Sequence, residues 1–326
     1  MEAERKDKKI RRLGALLAAM ILFFAWSLIY TLSTANVQRQ QGEKQQEDLR
    51  QELQKTAKEN AAGLESYLTG VEEALESLSK SPAVVQTLVQ GSQKGQELLQ
   101  DSFEEYAQGH PGVIGVFLGT ESKEIYLYPW MELPGDYDPS VRPWYTNAVS
   151  NKEPSWSEFY SDALSGHTIG TLSAPIFRQD TLRGVLGIDL DMDKAMENLK
   201  EVRIGKNGYL MVTDKKGTLL IHPSSVQRGM SLNNEEILGL ITSKGEGSVR
   251  FVINGVQRLA AVSKVAPAEL FVVAVADNYT TAAGEALQRI MWTAAIVLSI
   301  FFAMVISVLG ILLFQEVKAR KRERAA

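Results

Sequence analysis

Residues 113–128, VIGVFLGTESKEIYLY, decide how this chain folds. Val113 to Leu118 and Glu124 to Tyr128 are rich in β-branched and aromatic residues and predict two strands, joined by a Gly-Thr-Glu-Ser turn. The chain before them reads as helix. From Leu49 to Leu78 the positions Leu49, Leu53, Ala57, Ala61, Leu64, Leu68, Val71, Leu75 and Leu78 recur at spacings of four and three, which makes one narrow apolar seam. That seam either binds a second copy of the chain, giving a homodimer through the stalk helix, or lies on its own domain. Ser81-Pro82 supplies an N-cap and a proline at a first helical position, so a new helix runs from there to about Gln90. A polar helical stretch follows to about Gln108.

Toward the C-terminus come a turn-rich loop (ELPGDYDPS), a short helix from Val141 to Ser150, and strands near 156–160, 168–177 and 183–191. A helix over 193–202 closes this first module. Tyr209 to Thr213 and Thr218 to His222 flank Asp-Lys-Lys-Gly as a hairpin. A helix over 234–242 and strands near 247–253, 258–265 and 270–277 complete a second module. Both modules are expected to centre on mostly antiparallel sheets.

Composition misleads until it is divided. The 326 residues are 45% apolar and 23% charged with a net charge of −4, as in ordinary soluble domains. Residues 13–34 and 290–314, however, contain no Asp, Glu, Lys or Arg. At about 1.5 Å per residue each run spans a bilayer core of about 30 Å. Six bases precede the first run and five follow the second, so both termini are expected in the cytoplasm. The 255 residues between the runs carry 24 bases and 34 acids. Ser33 and Ala35 also resemble a cleavage site, which leaves a signal peptide as the alternative for the first run. The chain has no cysteine, which excludes disulfides, thiolate nucleophiles and thiolate metal sites. The acidic middle offers nothing to nucleic acid.

One constellation carries chemistry: Tyr137-Asp-Pro-Ser-Val-Arg142-Pro-Trp144-Tyr145, then Phe159-Tyr160-Ser-Asp162 and Gly187-Ile-Asp189. A zwitterionic amino acid needs a planar guanidinium for its carboxylate and an anion a few ångströms away for its ammonium, and Arg142 and Asp189 can supply them. Tyr137, Trp144 and Tyr145 add hydrogen-bond donors and rings that exclude water. The competing reading is an ordinary Arg142–Asp189 ion pair with Trp144 as a core anchor.

With the stalk helix, the "GVLGIDLDMD" strand and the "GKNGYLMVTDKKGTLLIHP" hairpin, these residues resemble the double-Cache family of extracytoplasmic sensor domains, found in bacterial chemoreceptors, sensor kinases and cyclases. The resemblance covers about residues 36–285. It implies an α+β fold: a long stalk helix plus two PAS-like Cache modules with antiparallel sheets, flanked by two transmembrane helices. The implied division is a cytoplasmic tail (1–12), a transmembrane helix (13–34), an extracytoplasmic sensor domain (35–289), a second transmembrane helix (290–314) and a cytoplasmic tail (315–326). Within the sensor domain, 35–80 is the stalk, 81–203 the membrane-distal ligand-binding module and 204–285 the membrane-proximal module. By resemblance to the amino-acid-binding subgroup, Tyr137, Arg142 and Trp144 hold the ligand carboxylate, Tyr145 and Asp189 its ammonium, and Tyr160 and Asp162 make further contacts.

The expected function is therefore a cell-membrane sensor, not an enzyme, with no cofactor or metal and with an amino acid as ligand. An amine is the nearest rival, although it leaves Arg142 without a partner. Asp189, Asp191 and Asp193 begin like a calcium loop, but lysines stand at its sixth and twelfth positions, 194 and 200. The three histidines lack a zinc spacing, and no Gly-x-Ser-x-Gly elbow or phosphate loop supports the remaining alternative, an extracellular hydrolase. Related receptors continue into an output domain, whereas twelve residues follow the second apolar run. The expectation is a membrane signalling partner, a ligand-capture role or a truncated relative of a longer receptor.

Overall fold

The computed structural model describes residues 2–90, 93–157, 159–161, 167–277 and 279–325. They form two units, one of residues 1–49 with 278–326 and one of residues 50–277.

Helix α1 (Glu2–Ser79) is a single element. Along its part in the second unit the seam residues Leu53, Ala57, Ala61, Leu64, Leu68, Val71 and Leu75 are at most 5% exposed. The seam therefore packs on the chain's own domain, the second of the two placements expected for it. Polar ties fix α1 there. Tyr106 donates to the Val71 carbonyl and Tyr67 to that of Pro111.

Helices α2 (Pro82–Gln90) and α3 (Gln93–Gly109) follow, the first capped by Ser81, whose Oγ accepts from the Val84 N–H. Strands β1 (Val113–Thr120) and β2 (Ile125–Tyr128) are the predicted hairpin. A 3₁₀ turn at Pro139–Val141 leads into α4 (Pro143–Asn151). Next come β3 (Ser155–Trp156), β4 (Tyr160–Ser161), β5 (Thr168–Arg178) and β6 (Thr181–Asp191). The sheet order is β2-β1-β6-β5-β3, with β4 also on β5 and every pairing antiparallel. On β6, Leu186, Ile188 and Leu190 are fully buried and alternate with Gly187, Asp189 and Asp191. The sheet therefore has an apolar core face and a second face free for other use.

Two expectations change in detail. The strand over 156–160 is two short pieces, because Trp156 pairs with Leu172 but Tyr160 with Ile169, one residue more on the outer strand than on β5. The helix over 193–202 is α5 (Met192–Ala195) and α6 (Glu197–Glu201), broken at the non-helical, buried Met196. Asp191 caps α5 by accepting from the Lys194 N–H, so the spaced aspartates mark a strand entering a helix.

The second sheet comprises β7 (Arg203–Ile204), β8 (Gly208–Thr213), β9 (Leu219–Ile221), β10 (Gly247–Ile253), β11 (Val256–Val265) and β12 (Leu270–Asp277), in the order β10-β11-β12-β8-β7 with β9 on β8. Helix α7 (Glu235–Ser243), capped by Asn234, buries Ile237 and Ile241 against Met211, Phe251, Val273 and their neighbours. Where the two sheets' chains meet, buried Asp193 accepts from the Thr168 N–H, Lys200 and Arg228. Helix α8 (Tyr279–Ala325) ends the chain.

In the first unit, Phe302 of α8 lies against Phe23 and Phe24 of α1, and Lys9 pairs with Glu316 at 2.6 Å. Residues 7–79 and 291–319 each contain a stretch long and apolar enough to cross a membrane.

Candidate ligand-binding site

The free face of the first sheet is laid out in rows. Antiparallel register places Asp189 between Gly115 of β1 and Thr171 of β5. The next row holds Gly187 between Phe117 and Ser173, with Leu127 of β2 beyond Phe117. Gly187 is required there: a Cβ at that position would lie 2.2 Å from the Phe117 ring. Without a side chain at 187 the Phe117 ring settles over the sheet and meets the Trp144 indole edge-on, ring centres 4.8 Å apart. Gly119 does the same for α4, since a Cβ there would come within 2.8 Å of Trp144 and 3.2 Å of Tyr145. Ser173 Oγ then pins the start of α4 by donating to the Trp144 carbonyl at 2.7 Å.

Helix α4 and the loop after β2 roof this face and leave a cavity of about 880 Å³. Its polar lining includes Asp189, Thr171, Ser157, Asn147, Tyr137 and Tyr160, and Trp144 forms part of the wall. The loop is held at its far end by Asp138, which accepts from the Ser140 N–H and pairs with Lys123 at 2.8 Å. The Lys123 and Ser140 hydrogen bonds hold the Asp138 carboxyl down at about 2.

Asp189 is the chemical centre. Burial pushes its carboxyl above the ordinary range, and the Thr171 Oγ1–H donated to Oδ1 at 2.6 Å offsets only part of that shift. Among the described residues no hydrogen bond reaches Oδ2 and no ion pair reaches the carboxylate. A desolvated carboxylate with one satisfied oxygen is a receptor for a cation that brings its own hydrogens.

The sequence-derived residues divide. Tyr137, Trp144, Tyr160 and Asp189 line one cavity. Arg142 stands beside it, between two lining residues, as the exposed N-cap of α4 with its guanidinium 4.5 Å from the centre of the Tyr137 ring. It makes no ion pair with Asp189 among the described residues. Tyr145 faces away: it is 5% exposed, packs with Ala148 and Val185, and does not line the cavity. Helical geometry explains this, since consecutive residues point about 100° apart and cannot both face one pocket. Asp162 lies outside the described residues. The sequence reading missed Thr171, Phe117 and Leu127, whose signal is their registration with Asp189 and Gly187. Histidine 222 is structural: its Nδ1 accepts from the Ser224 N–H, and burial lowers its pKa.

A family model for the Cache domain, the dCache model, matches residues 37–284. The chain belongs to the Cache domain family. This Cache chain is 29% identical over 157 residues to the methyl-accepting chemotaxis protein McpC of Bacillus subtilis, a match covering 48% of the chain and 24% of McpC. Its fold is similar to that of the ligand-binding domain of the Pseudomonas aeruginosa amino acid chemoreceptor PctC, solved with GABA (TM-score 0.59, 20% identity, 70% of this chain and 99% of that one). It is also similar to the corresponding domain of PctB from the same organism, solved with L-Arg (TM-score 0.58, 23% identity, 73% and 98%). The matches span 24 to 38% of the length of the first curated chemotaxis proteins.

Proposed function

We propose that this Cache chain is the sensory part of a membrane-anchored receptor, that it binds an amino acid on the free face of its first sheet, and that it passes occupancy to the membrane through its apolar helices. The observation that carries the reading is Asp189, a largely desolvated carboxylate with one oxygen unbonded among the described residues, opening into a cavity walled by Tyr137 and Trp144. In this reading Asp189 holds the ligand ammonium. Tyr137 and Trp144 hold its carboxylate, with Arg142 reaching in from the mouth. Tyr160 and Asp162 contact the rest of the ligand, and Tyr145, expected to share the ammonium, instead packs beneath α4 with Ala148 and Val185. The amino acids held by the PctC and PctB domains support the ligand class, and the chemotaxis proteins support sensing rather than catalysis.

The topology follows the charge pattern: spans over 13–34 and 290–314, both termini cytoplasmic, and 35–289 outside as stalk, distal module and proximal module. The Lys9–Glu316 pair supports it, because it brings the two basic ends to one side. Output passes to a signalling partner in the membrane or to further sequence of the receptor.

Calorimetric titration of the chain in lipid nanodiscs with the common amino acids tests the reading. Binding that weakens about a hundredfold in Asp189→Asn and less steeply in Arg142→Ala is expected; undiminished binding by Asp189→Asn would overturn it. A second reading, an amine ligand, is favoured by the position of Arg142 outside the cavity lining. Amines bound in preference to their parent amino acids would establish it.

A further inference from the structure

The cavity has two chemically different ends. Thr171, Asp189 and Ser157 form one end, on the inner strands and the β3 side. The other is built by Ile125 and Leu127 of the edge strand β2, Ile114 of β1, and Met131 and Leu133 of the roofing loop. Among the described lining residues Asp189 is the only charged side chain. We propose that the ligand class is amino acids with a large apolar side chain, which lies across Gly115 against this aliphatic wall. The proposal rests on the amino-acid reading above.

Geometry sets the size. Asp189 is two strand spacings, about 9.6 Å, from the β2 side of the sheet, and Leu127 stands one two-residue row further along, a diagonal of about 12 Å that passes over Gly115. An ammonium seated about 3 Å from the carboxylate leaves a gap that an apolar side chain of four or more heavy atoms fills and that of alanine or serine does not. Charge sets the class. Among the described lining residues of the aliphatic end, an acidic side chain would meet no cation and a basic one no anion. Filling the aliphatic end removes apolar surface of both partners from water, so affinity rises with side-chain size.

Titration of the full chain in nanodiscs with L-leucine, L-methionine, L-alanine, L-serine, L-aspartate, L-lysine and 3-methylbutylamine tests this. Leucine and methionine are expected to bind at least tenfold tighter than the other four amino acids. In Leu133→Ser and Leu127→Ser leucine is expected to lose at least fivefold while alanine is unchanged; Leu133 lies in a loop, so its variant keeps the sheet intact, and the ligand panel needs no variant at all. Serine, aspartate or lysine bound as tightly as leucine overturns the proposal, and so do variants that weaken leucine and alanine alike. Binding of 3-methylbutylamine with no amino acid bound supports the apolar wall while overturning the amino-acid reading. Binding by none of the seven overturns both.

Discussion

The Trp156 indole N–H donates to the Glu72 carboxylate across 2.7 Å, joining the outer strand of the first sheet to α1 one residue before Ser157, which lines the cavity. Ser157 in turn gives its N–H to the Thr171 carbonyl, and Thr171 holds Asp189. Burial raises the Glu72 carboxyl and the indole bond pulls it back. Trp156→Phe should therefore cost about 1 kcal/mol at neutral pH, the worth of a hydrogen bond to a half-buried charge. The sign follows: without the donor the folded pKa rises further, so stability is lost as pH rises through it. Thermal melts should show the deficit of Trp156→Phe shrinking from pH 7 toward pH 5, and a deficit constant across that range would contradict the assignment.

Asp189→Asn should separate recognition from stability. The amide keeps the bond from Thr171 and removes a buried unpaired charge, so the unliganded chain should melt higher, by about 1 kcal/mol in stability. The same change should weaken ammonium-bearing ligands about a hundredfold. Because the Asp189 pKa is raised, binding to the unaltered chain should fall as pH is lowered through it, and calorimetry between pH 8 and 5 should show a slope absent from the variant.

Gly187→Ala drives a methyl group into the Phe117 ring. The ring cannot stay between the sheet and Trp144, and overpacking of this kind costs about 1–3 kcal/mol. Tryptophan fluorescence should report both a lower melting point and a changed Trp144 environment, with ligand affinity reduced.

The Asp193 junction should loosen in acid. Burial pushes its carboxyl up, but the Lys200 and Thr168 bonds and the Arg228 charge outweigh that and hold it below its ordinary value. A depressed folded pKa contributes stability that is present above the unfolded pKa of about 3.9 and is lost as pH falls through the folded one. Arg228→Gln should cost about 2 kcal/mol at pH 7, and melts between pH 5 and 3 should show the difference from the unaltered chain closing.

The periodic parts of the fold were legible in sequence. The α1 seam, the Ser81-Pro82 helix start, the β1–β2 hairpin and the three closing strands all carry a period or a turn that local chemistry enforces. What local chemistry does not enforce was missed. Met196 breaks a helix because it is drawn into the core, and the outer strand splits because β5 is one residue shorter there. Asp189 and Trp144 were recognisable as residues that a ligand site needs. That Trp144 lines the cavity while Tyr145 packs into the core was hidden by giving neighbours in sequence the same facing. Thr171 was hidden because only cross-strand register links it to Asp189.

The row arrangement on the sheet also bears on how such a sensor can change. In the proposed reading, the charge that grips the ligand stands on the strand whose alternate residues fill the core, so it is costly to move. Four of the five residues of the aliphatic wall stand on an edge strand and a loop, where substitutions disturb few neighbours. On that reading, a lineage carrying this domain can drift from one ligand to another by altering those four peripheral positions while its grip stays fixed.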